Sequence, residues 1–520
     1  MTEVDSLLPL VAIALPGLAT VAILLSGSRP TLRESWTALA ALGKFGAVAA
    51  MVRGVLGGAT YVSPELTFLP GLSFSFRVDG LGALFALVAS GLWLVASLYS
   101  VGYVRELDEP HQTRYFAAFA ASLSTTMGVA FAGNLLTLFV WYELLTLATY
   151  PLVVHKRTDV AKRAGRKYVL YTLGGGAAVL AGTVLFYALT GTTTFAAGGL
   201  DAVLAADPVL ARAAFALLVA GFGVKAALMP LHGWLPDAMV APTPVSGLLH
   251  AVAVVKSGVF GIARVVLSLF GPDGVTELGV GIPLATVAAT TMLLAGLLTL
   301  REERLKRGLA YSTVSQLSYI VLGLAMVTPL AVKGALLHLA AHAFMKIVLF
   351  FCVGIVYVET HLERIDEVAG IGSRLPLTMA MFGIASAGLV GLPLVAGFVS
   401  KWYLLLGLLD GGYLAFAGAL LLAGLLKLLF FWPIVASAFF PDDGAGEVTG
   451  DQHGHHEPAP AEPRGGSHPD AGARITPIET DWRLLLPVAV ACTVAVVFGI
   501  VPEHLPFYDL AARVVEVTFE

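Results

Sequence analysis

The feature that most restricts what this chain can fold into is the recurrence, from one end to the other, of apolar runs about 20 residues long. That is the length a helix needs to cross a bilayer core. Such runs occupy approximately 6–26, 35–57, 80–104, 114–132, 134–154, 168–190, 209–229, 242–269, 280–300, 309–328, 332–358, 376–408, 411–439 and 484–502. Charged residues make up 13% of the 520, about half the share that a water-facing domain carries. Backbone groups in hydrocarbon must be bonded within their own segment, so these runs are predicted to be helices. The fold class is therefore an all-α integral membrane protein with about fourteen transmembrane helices. The first run follows an acidic leader, Glu3 and Asp5, and is read as a helix, not a cleaved signal. The formal net charge of −4 carries no information about nucleic acid, and no nucleic acid partner is expected. Cys352 and Cys492 lie in apolar runs and are read as two reduced thiols, with no disulfide or cysteine-based metal site.

Two runs do not read as straight spans. The run 376–408 is too long for one crossing and contains Pro393, and 209–229 ends against Pro230 and Pro236. Both are predicted to be broken helices, which transporters use at their binding sites. Lys and Arg cluster in the connections HKRTDVAKRAGRK and REERLKR. Counted by loop, one side holds nineteen basic residues and the other about six. The positive-inside rule then places the basic loops in the cytoplasm and both termini outside the cell membrane. The stretch 441–482, rich in Gly, Pro, Ala and acids, reads as a polar cytoplasmic linker. Its His453, His455, His456 and His468 are read as solvated, not as a metal site.

Ionisable groups inside spans are costly, each about 2.5–3.5 kcal/mol at a helix centre, so each needs a reason. Glu143, in GNLLTLFVWYELLTLATYPLVV, is the only carboxylate deep within a run. Lys225 stands five residues before Pro230, where a missing backbone donor lets water and side chains enter the helix. An ammonium about 4 Å from a carboxylate gains ~4 kcal/mol at an effective dielectric of 20. Moving Glu143 away would therefore swing Lys225 between holding and releasing a proton. Lys256 follows His250 by six residues, about 120° around a continuous helix, so the two would share a hydrated cavity without sharing a face. His338, His342 and Lys346 are spaced i, i+4, i+8 and stack on one helix face in a stripe about 12 Å long. HxxxH suits zinc, but Leu339 stands where a metalloprotease has Glu, so a proton wire is the preferred reading. Lys401 lies eight residues after Pro393 and repeats the lysine-beside-a-break device, which points to two related halves. Lys427 is one further lysine in a span. Lys44 lies centrally in the second run, where the helix can tilt and let it snorkel or keep it within the span, and it is assigned no role.

The run KAALMPLHGWLPDAMVAPTPVSGLLHAVAVVKSG, with WYELL, GLAYSTVSQLSYI, HLAAHAFMKIVLFF and GLPLVAGFVSKW, resembles the antiporter-like subunits shared by respiratory complex I and Mrp-type Na+/H+ antiporters, over roughly residues 75–430. The resemblance implies fourteen helices with two inverted five-helix repeats, helices 4–8 and 9–13, in which helices 7 and 12 are broken. The domains would be 1–110 (helices 1–3), 111–270 (first repeat), 271–440 (second repeat), the 441–482 linker, and 483–520 (helix 14 and a short tail). It also implies roles: Glu143 and Lys225 as a paired switch, Lys256 as central relay, His250, His338, His342 and Lys346 as connecting groups, and Lys401 as the exit-side lysine. The D-type subunit of Mrp antiporters is the favoured subfamily. About 18 residues follow residue 502, which leaves no long lateral helix.

The resulting expectation is a proton-translocating, non-enzymatic subunit of a hetero-oligomeric Na+/H+ antiporter, with a bilayer and other subunits as partners and no cofactor. The chain offers one intramembrane carboxylate against six lysines, so Na+, a hard cation that prefers oxygen ligands, is expected to cross mainly through a partner. The alternatives are the same module in complex I or a membrane-bound hydrogenase, an intramembrane metalloenzyme built on HxxxH, and a structural anchor. No charged amphipathic segment or soluble catalytic domain is apparent.

Overall fold

The structure is a computed structural model in which residues 2–69, 72–441 and 479–520 are described. The linker expected at 441–482, with His453, His455, His456 and His468, lies outside the described residues except at its ends.

A short parallel pairing joins β1 (Thr2–Asp5) to β2 (Ala59–Val62), in register Thr2↔Ala59. Between them run α1 (Leu8–Leu25) and α2 (Pro30–Leu56). The hairpin β3 (Leu66–Leu69) and β4 (Leu72–Phe74) follows, and β5 (Arg77–Val78) closes the sheet antiparallel to β2. These strands are two to four residues long, and the sequence reading missed them. Long helices then alternate: α3 (Gly80–Glu106), α4 (Gln112–Ala130), α5 (Leu135–Val153) and α6 (Asp159–Thr190). The six-residue basic cluster after α5 was expected to be a loop, yet most of it is the first turns of α6. Thr158 caps that helix by accepting from the Ala161 N–H at 3.2 Å, and Asp159 sits in the first turn, where negative charge suits the helix dipole.

After the short α7 (Asp201–Ala205), α8 (Pro208–Lys225) stops at Lys225, and α9 (Trp234–Asp237) is a single turn beyond the Pro230 break. The expected single span 242–269 is two helices, α10 (Thr243–Ala251) and α11 (Val254–Arg264), followed by a π-helical turn at Val265–Phe270. There follow α12 (Gly271–Glu277), α13 (Gly281–Thr299), α14 (Leu305–Ala325) and α15 (Pro329–Thr360). The break expected near Pro393 separates α16 (Pro376–Val390) from α17 (Ala396–Asp410). Last come α18 (Leu414–Phe439), α19 (Trp482–Ile500) and α20 (Pro506–Phe519). The tail is thus a helix with one buried edge (Phe507, Leu510, Ala511, Val514) and with Asp509, Arg513 and Glu516 along it, contrary to the expectation of no charged amphipathic segment.

Twelve helices among the described residues are long and apolar enough to cross a membrane. The polar helix α4 and the broken pair α16–α17 fall outside that set. The most apolar stretches of α10–α12 and α15 are wholly enclosed by the rest of the protein, and that of α14 nearly so, whereas α1, α18 and α19 keep most of theirs facing outward. Apolar outer residues such as Leu18, Leu170 and Leu421 are over half exposed, as a lipid-facing surface requires. Lipid supplies no hydrophobic drive between helices, so close packing relies on small residues. On α6 and α8, a Cβ at Gly175 would stand 2.9 Å from the Gly221 carbonyl, and one at Gly221 would stand 2.8 Å from the Val179 nitrogen. Those glycines bring the end of α8 hard against α6. β1 lies beside β2, and α20 packs on the start of α3 through Gly80 and Val514, so both termini meet on one face of the bundle.

Candidate functional site

The first half of the site is built where α5, α6 and α8 meet. Glu143 lies midway along α5, which Asn134 caps by accepting from the Thr137 N–H at 2.8 Å. The glycine run of α6 makes room for its carboxylate: a Cβ at Gly176 would lie 3.0 Å from Oε2. Lys225 is the last residue of α8. Its ammonium donates to the Tyr142 carbonyl and lies 3.4 Å from the centre of the Tyr142 ring. Past it the chain unwinds through Ala227, at φ 56°. The indole N–H of Trp234 donates to the Val224 carbonyl at 2.8 Å, a second donor to that carbonyl beside the Ala227 N–H at 3.1 Å. Glu143 and Lys225 are therefore neighbours through Tyr142, but they form no ion pair within 4 Å among the described residues. Glu143 is half-buried and its Oε1 has no hydrogen-bond partner. The expected direct contact at about 4 Å is corrected to an indirect one.

His250 and Lys256 straddle the unforeseen break. The Val252 and Ala253 N–H groups both donate to the Leu248 carbonyl, at 3.1 and 3.0 Å, so the helix is not continuous and the expected 120° relation does not hold. Sequence carried no warning, since no proline or glycine stands at 252–253. His250 is fully buried, packs 4.8 Å from the Phe350 ring and has both nitrogens unpartnered. Lys256 donates to the Leu339 carbonyl at 2.9 Å, which ties α11 to α15.

On α15, His338, His342 and Lys346 share one face as the spacing predicted, with the two imidazoles 6.1 Å apart. His342 has no hydrogen-bond partner but stands within electrostatic reach of Lys256, Lys346, His338 and His250. Lys346 donates to Ser312 Oγ at 2.8 Å and to the Leu309 carbonyl at 3.0 Å. His338 lies between Gln316 Oε1 at 2.7 Å and Ser400 Oγ at 2.8 Å. Gln316 Nε2 donates to the Leu389 carbonyl at 2.8 Å, so its oxygen must face His338. Neutral His338 therefore carries its proton on Nε2 and accepts from Ser400 on Nδ1. On taking a second proton it would donate to Ser400, whose hydroxyl has the Gly397 carbonyl at 3.1 Å as an alternative acceptor. With both nitrogens engaged, His338 is not arranged to share a metal with His342.

Lys401 follows the second break. Its ammonium donates to the Leu389 and Val390 carbonyls, the latter at 3.0 Å, which are orphan groups at the negative end of α16. Lys225 precedes its break and Lys401 follows its own, so the two devices are related but not identical. Lys427 proves to belong with Lys401: it donates to Ser315 Oγ at 2.7 Å, and both ammoniums lie against the Tyr319 ring, at 4.8 and 4.9 Å from its centre. Lys44 is fully buried, 4.5 Å from the Trp93 ring centre and without a hydrogen-bond partner, so of the two readings left open it stays within the span and does not snorkel. Residue-by-residue reading missed Ser312, Ser315, Gln316 and Tyr319. Their i, i+3, i+4, i+7 spacing on the mostly apolar α14 was a legible signal of one polar face.

A file of enclosed lysines and histidines between two interrupted helices, all inside a lipid-facing bundle, defines the class: an antiporter-like membrane subunit of the cation/proton type. The chain belongs to the family described as "NADH:quinone oxidoreductase/Mrp antiporter, TM", which matches residues 132–426. Residues 70–116 match "NADH-Ubiquinone oxidoreductase (complex I), chain 5 N-terminus". The "NADH-quinone oxidoreductase subunit N" of Desulforudis audaxviator is 33% identical over 433 residues, 82% of this chain and 81% of the relative. A Rhizobium meliloti protein belonging to a "Probable K(+)/H(+) antiporter" is 34% identical over 344 residues, 65% of this chain but only 33% of that much longer relative. Among solved structures, a chain of the Mrp complex from Dietzia sp. DQ12-45-1b superposes with a TM-score of 0.83 at 25% identity, over 99% of this chain and 97% of that one.

Proposed function

We propose that this chain is the proton-translocating subunit of a multi-subunit Na+/H+ antiporter, of the Mrp D type. The observation that supports it best is the polar file itself: Lys225, Lys256, His342, His338 and Lys401 are enclosed and lie on contacting helices, and the four of them that are hydrogen-bonded, all but His342, have carbonyls, a hydroxyl or an amide as partners instead of carboxylates. An ammonium so placed keeps its proton only while its surroundings favour the charge. Glu143, half-exposed on the side of the bundle, supplies the negative charge that biases Lys225. His250 and Lys346 flank the file, and Na+ crosses through a partner subunit. Adding α4 and the α16–α17 pair to the twelve long helices gives fourteen crossings, with inverted repeats at 111–270 and 271–440. The basic loops then face the cytoplasm and both termini lie outside the cell membrane.

The test is Lys225→Arg in everted membrane vesicles carrying the whole complex. Arginine keeps the charge but does not release its proton. Cation-driven ΔpH collapses if Lys225 is a relay, and an unchanged ΔpH overturns the reading. The likeness to an NADH-quinone oxidoreductase component favours a second assembly, a redox-driven pump of the complex I or hydrogenase type. Co-purification with quinone-linked subunits would decide for it.

A further inference from the structure

The face opposite the termini carries a cavity of 520 Å³ that the relay does not use. Lys156, Arg163 and Lys167 line it from the α5–α6 connection and the start of α6, and Arg304, Lys306 and Arg307 from the start of α14. Two carboxylates oppose these six cations. Asp237 is already committed, to Lys167 at 2.7 Å and Arg307 at 3.8 Å. Arg307 also meets Glu302 at 3.3 Å. That leaves Lys156, Arg163, Arg304 and Lys306 without a carboxylate within 4 Å among the described residues, with Glu363 and, beyond the cavity wall, Glu109 to offset four cations. Converging cations that lack anions are a site for an anion. Such a wall repels protons and Na+, so the cavity is not explained as their intake.

We infer that this cavity binds the phosphate of an anionic phospholipid from the leaflet that this face meets. The phosphate part of the argument is the charge surplus. The lipid part is the geometry of α6. Val160 lines the cavity and is 52% exposed, while Leu170, seven residues beyond Arg163 and so on the same helix face, is 74% exposed. A headgroup at Arg163 would therefore lay its acyl chain along Leu170. The guanidiniums of Arg163 and Arg304 suit a phosphate by bidentate hydrogen bonding. Lys306 already spends one N–H on the Ala241 carbonyl, at 2.6 Å, and is thereby held at the cavity wall.

The test is native mass spectrometry of the full-length chain in detergent, supplied with phosphatidylglycerol, phosphatidylcholine or orthophosphate. Wild type should retain phosphatidylglycerol well above phosphatidylcholine. The double variant Arg163→Gln/Arg304→Gln should retain about 30-fold less, the effect of two interfacial cations. Arg157→Gln/Arg166→Gln, which removes two exposed cations that do not line the cavity, should behave as wild type. Arg163→Lys, which keeps the charge, should retain lipid and so separates loss of the site from loss of the fold. Equal retention by wild type and Arg163→Gln/Arg304→Gln overturns the proposal. Displacement of phosphatidylglycerol by orthophosphate assigns the site to free phosphate and overturns the lipid assignment.

Discussion

A histidine between two hydroxyl- or amide-bearing neighbours can change protonation without moving its ring, and His338 is so placed. Gln316 is anchored by the Leu389 carbonyl and presents only its oxygen, while the Ser400 hydroxyl can turn between Nδ1 and Gly397. Gln316→Leu removes the anchor and the acceptor together. Leaving one buried donor unpaired costs about 1–3 kcal/mol. Proton transport in vesicles should fall about tenfold or more, with less effect from Gln316→Glu, which keeps an acceptor toward His338. Equal activity of wild type and Gln316→Leu would remove His338 from the path. Lys427 belongs to the same scale. Because it shares Tyr319 with Lys401, Lys427→Met should alter transport, whereas a purely structural lysine would change only thermal stability.

Helix breaks and close helix crossings set where those side chains stand. Gly258 on α11 faces the backbone at the end of α8: a Cβ there would lie 2.7 Å from the Lys225 carbonyl carbon and 2.8 Å from the Phe222 oxygen. Backbone atoms cannot swing aside, so Gly258→Ala must push α11 away from α8. A cost of about 1–3 kcal/mol is expected, together with loss of transport, because Lys225 and Lys256 are then separated. Thermal unfolding in detergent, read beside ΔpH formation, checks both parts. Gly418, where nothing lies within 4 Å of an added Cβ, is the control: Gly418→Ala should be silent.

Over the molecule as a whole, one ion pair ties the start of α3 to the end of α11. Arg264, almost fully buried, meets Asp79 through two contacts, at 2.5 and 2.9 Å, and Asp79 also caps α3 by accepting from the Gly82 N–H at 2.8 Å. Burial pushes the Asp79 carboxyl up, but Arg264 outweighs it and holds the group below its ordinary range. A depressed folded-state value stabilises the protein above the unfolded carboxylate pKa of about 3.9, and that contribution is lost as pH falls through the folded value. Wild type should therefore lose thermal stability below about pH 4. Asp79→Asn should be weaker by about 3 kcal/mol at neutral pH, since it leaves a buried arginine unpaired, and should lack that acid-side step. A parallel acid-side slope in both proteins would show that the pair does not clamp this face.

Much of this was present in the order of the residues. Apolar run length dictated a bundle of helices because backbone polar groups have no other partners in lipid. Pro230 and Pro393 marked two interruptions, and the i, i+4, i+8 spacing put His338, His342 and Lys346 on one stripe. These are local properties, set by chain geometry within a turn or two. Tertiary structure alone decided the rest: the break at Val252–Ala253, the indirect approach of Glu143 to Lys225, the burial of Lys44 against Trp93, and the joining of Lys401 and Lys427 through Tyr319. Each depends on groups brought together from distant segments. The free energy of a buried charge is fixed by whatever carbonyl, ring or carboxylate the packing sets beside it, and no spacing along the chain records that neighbour.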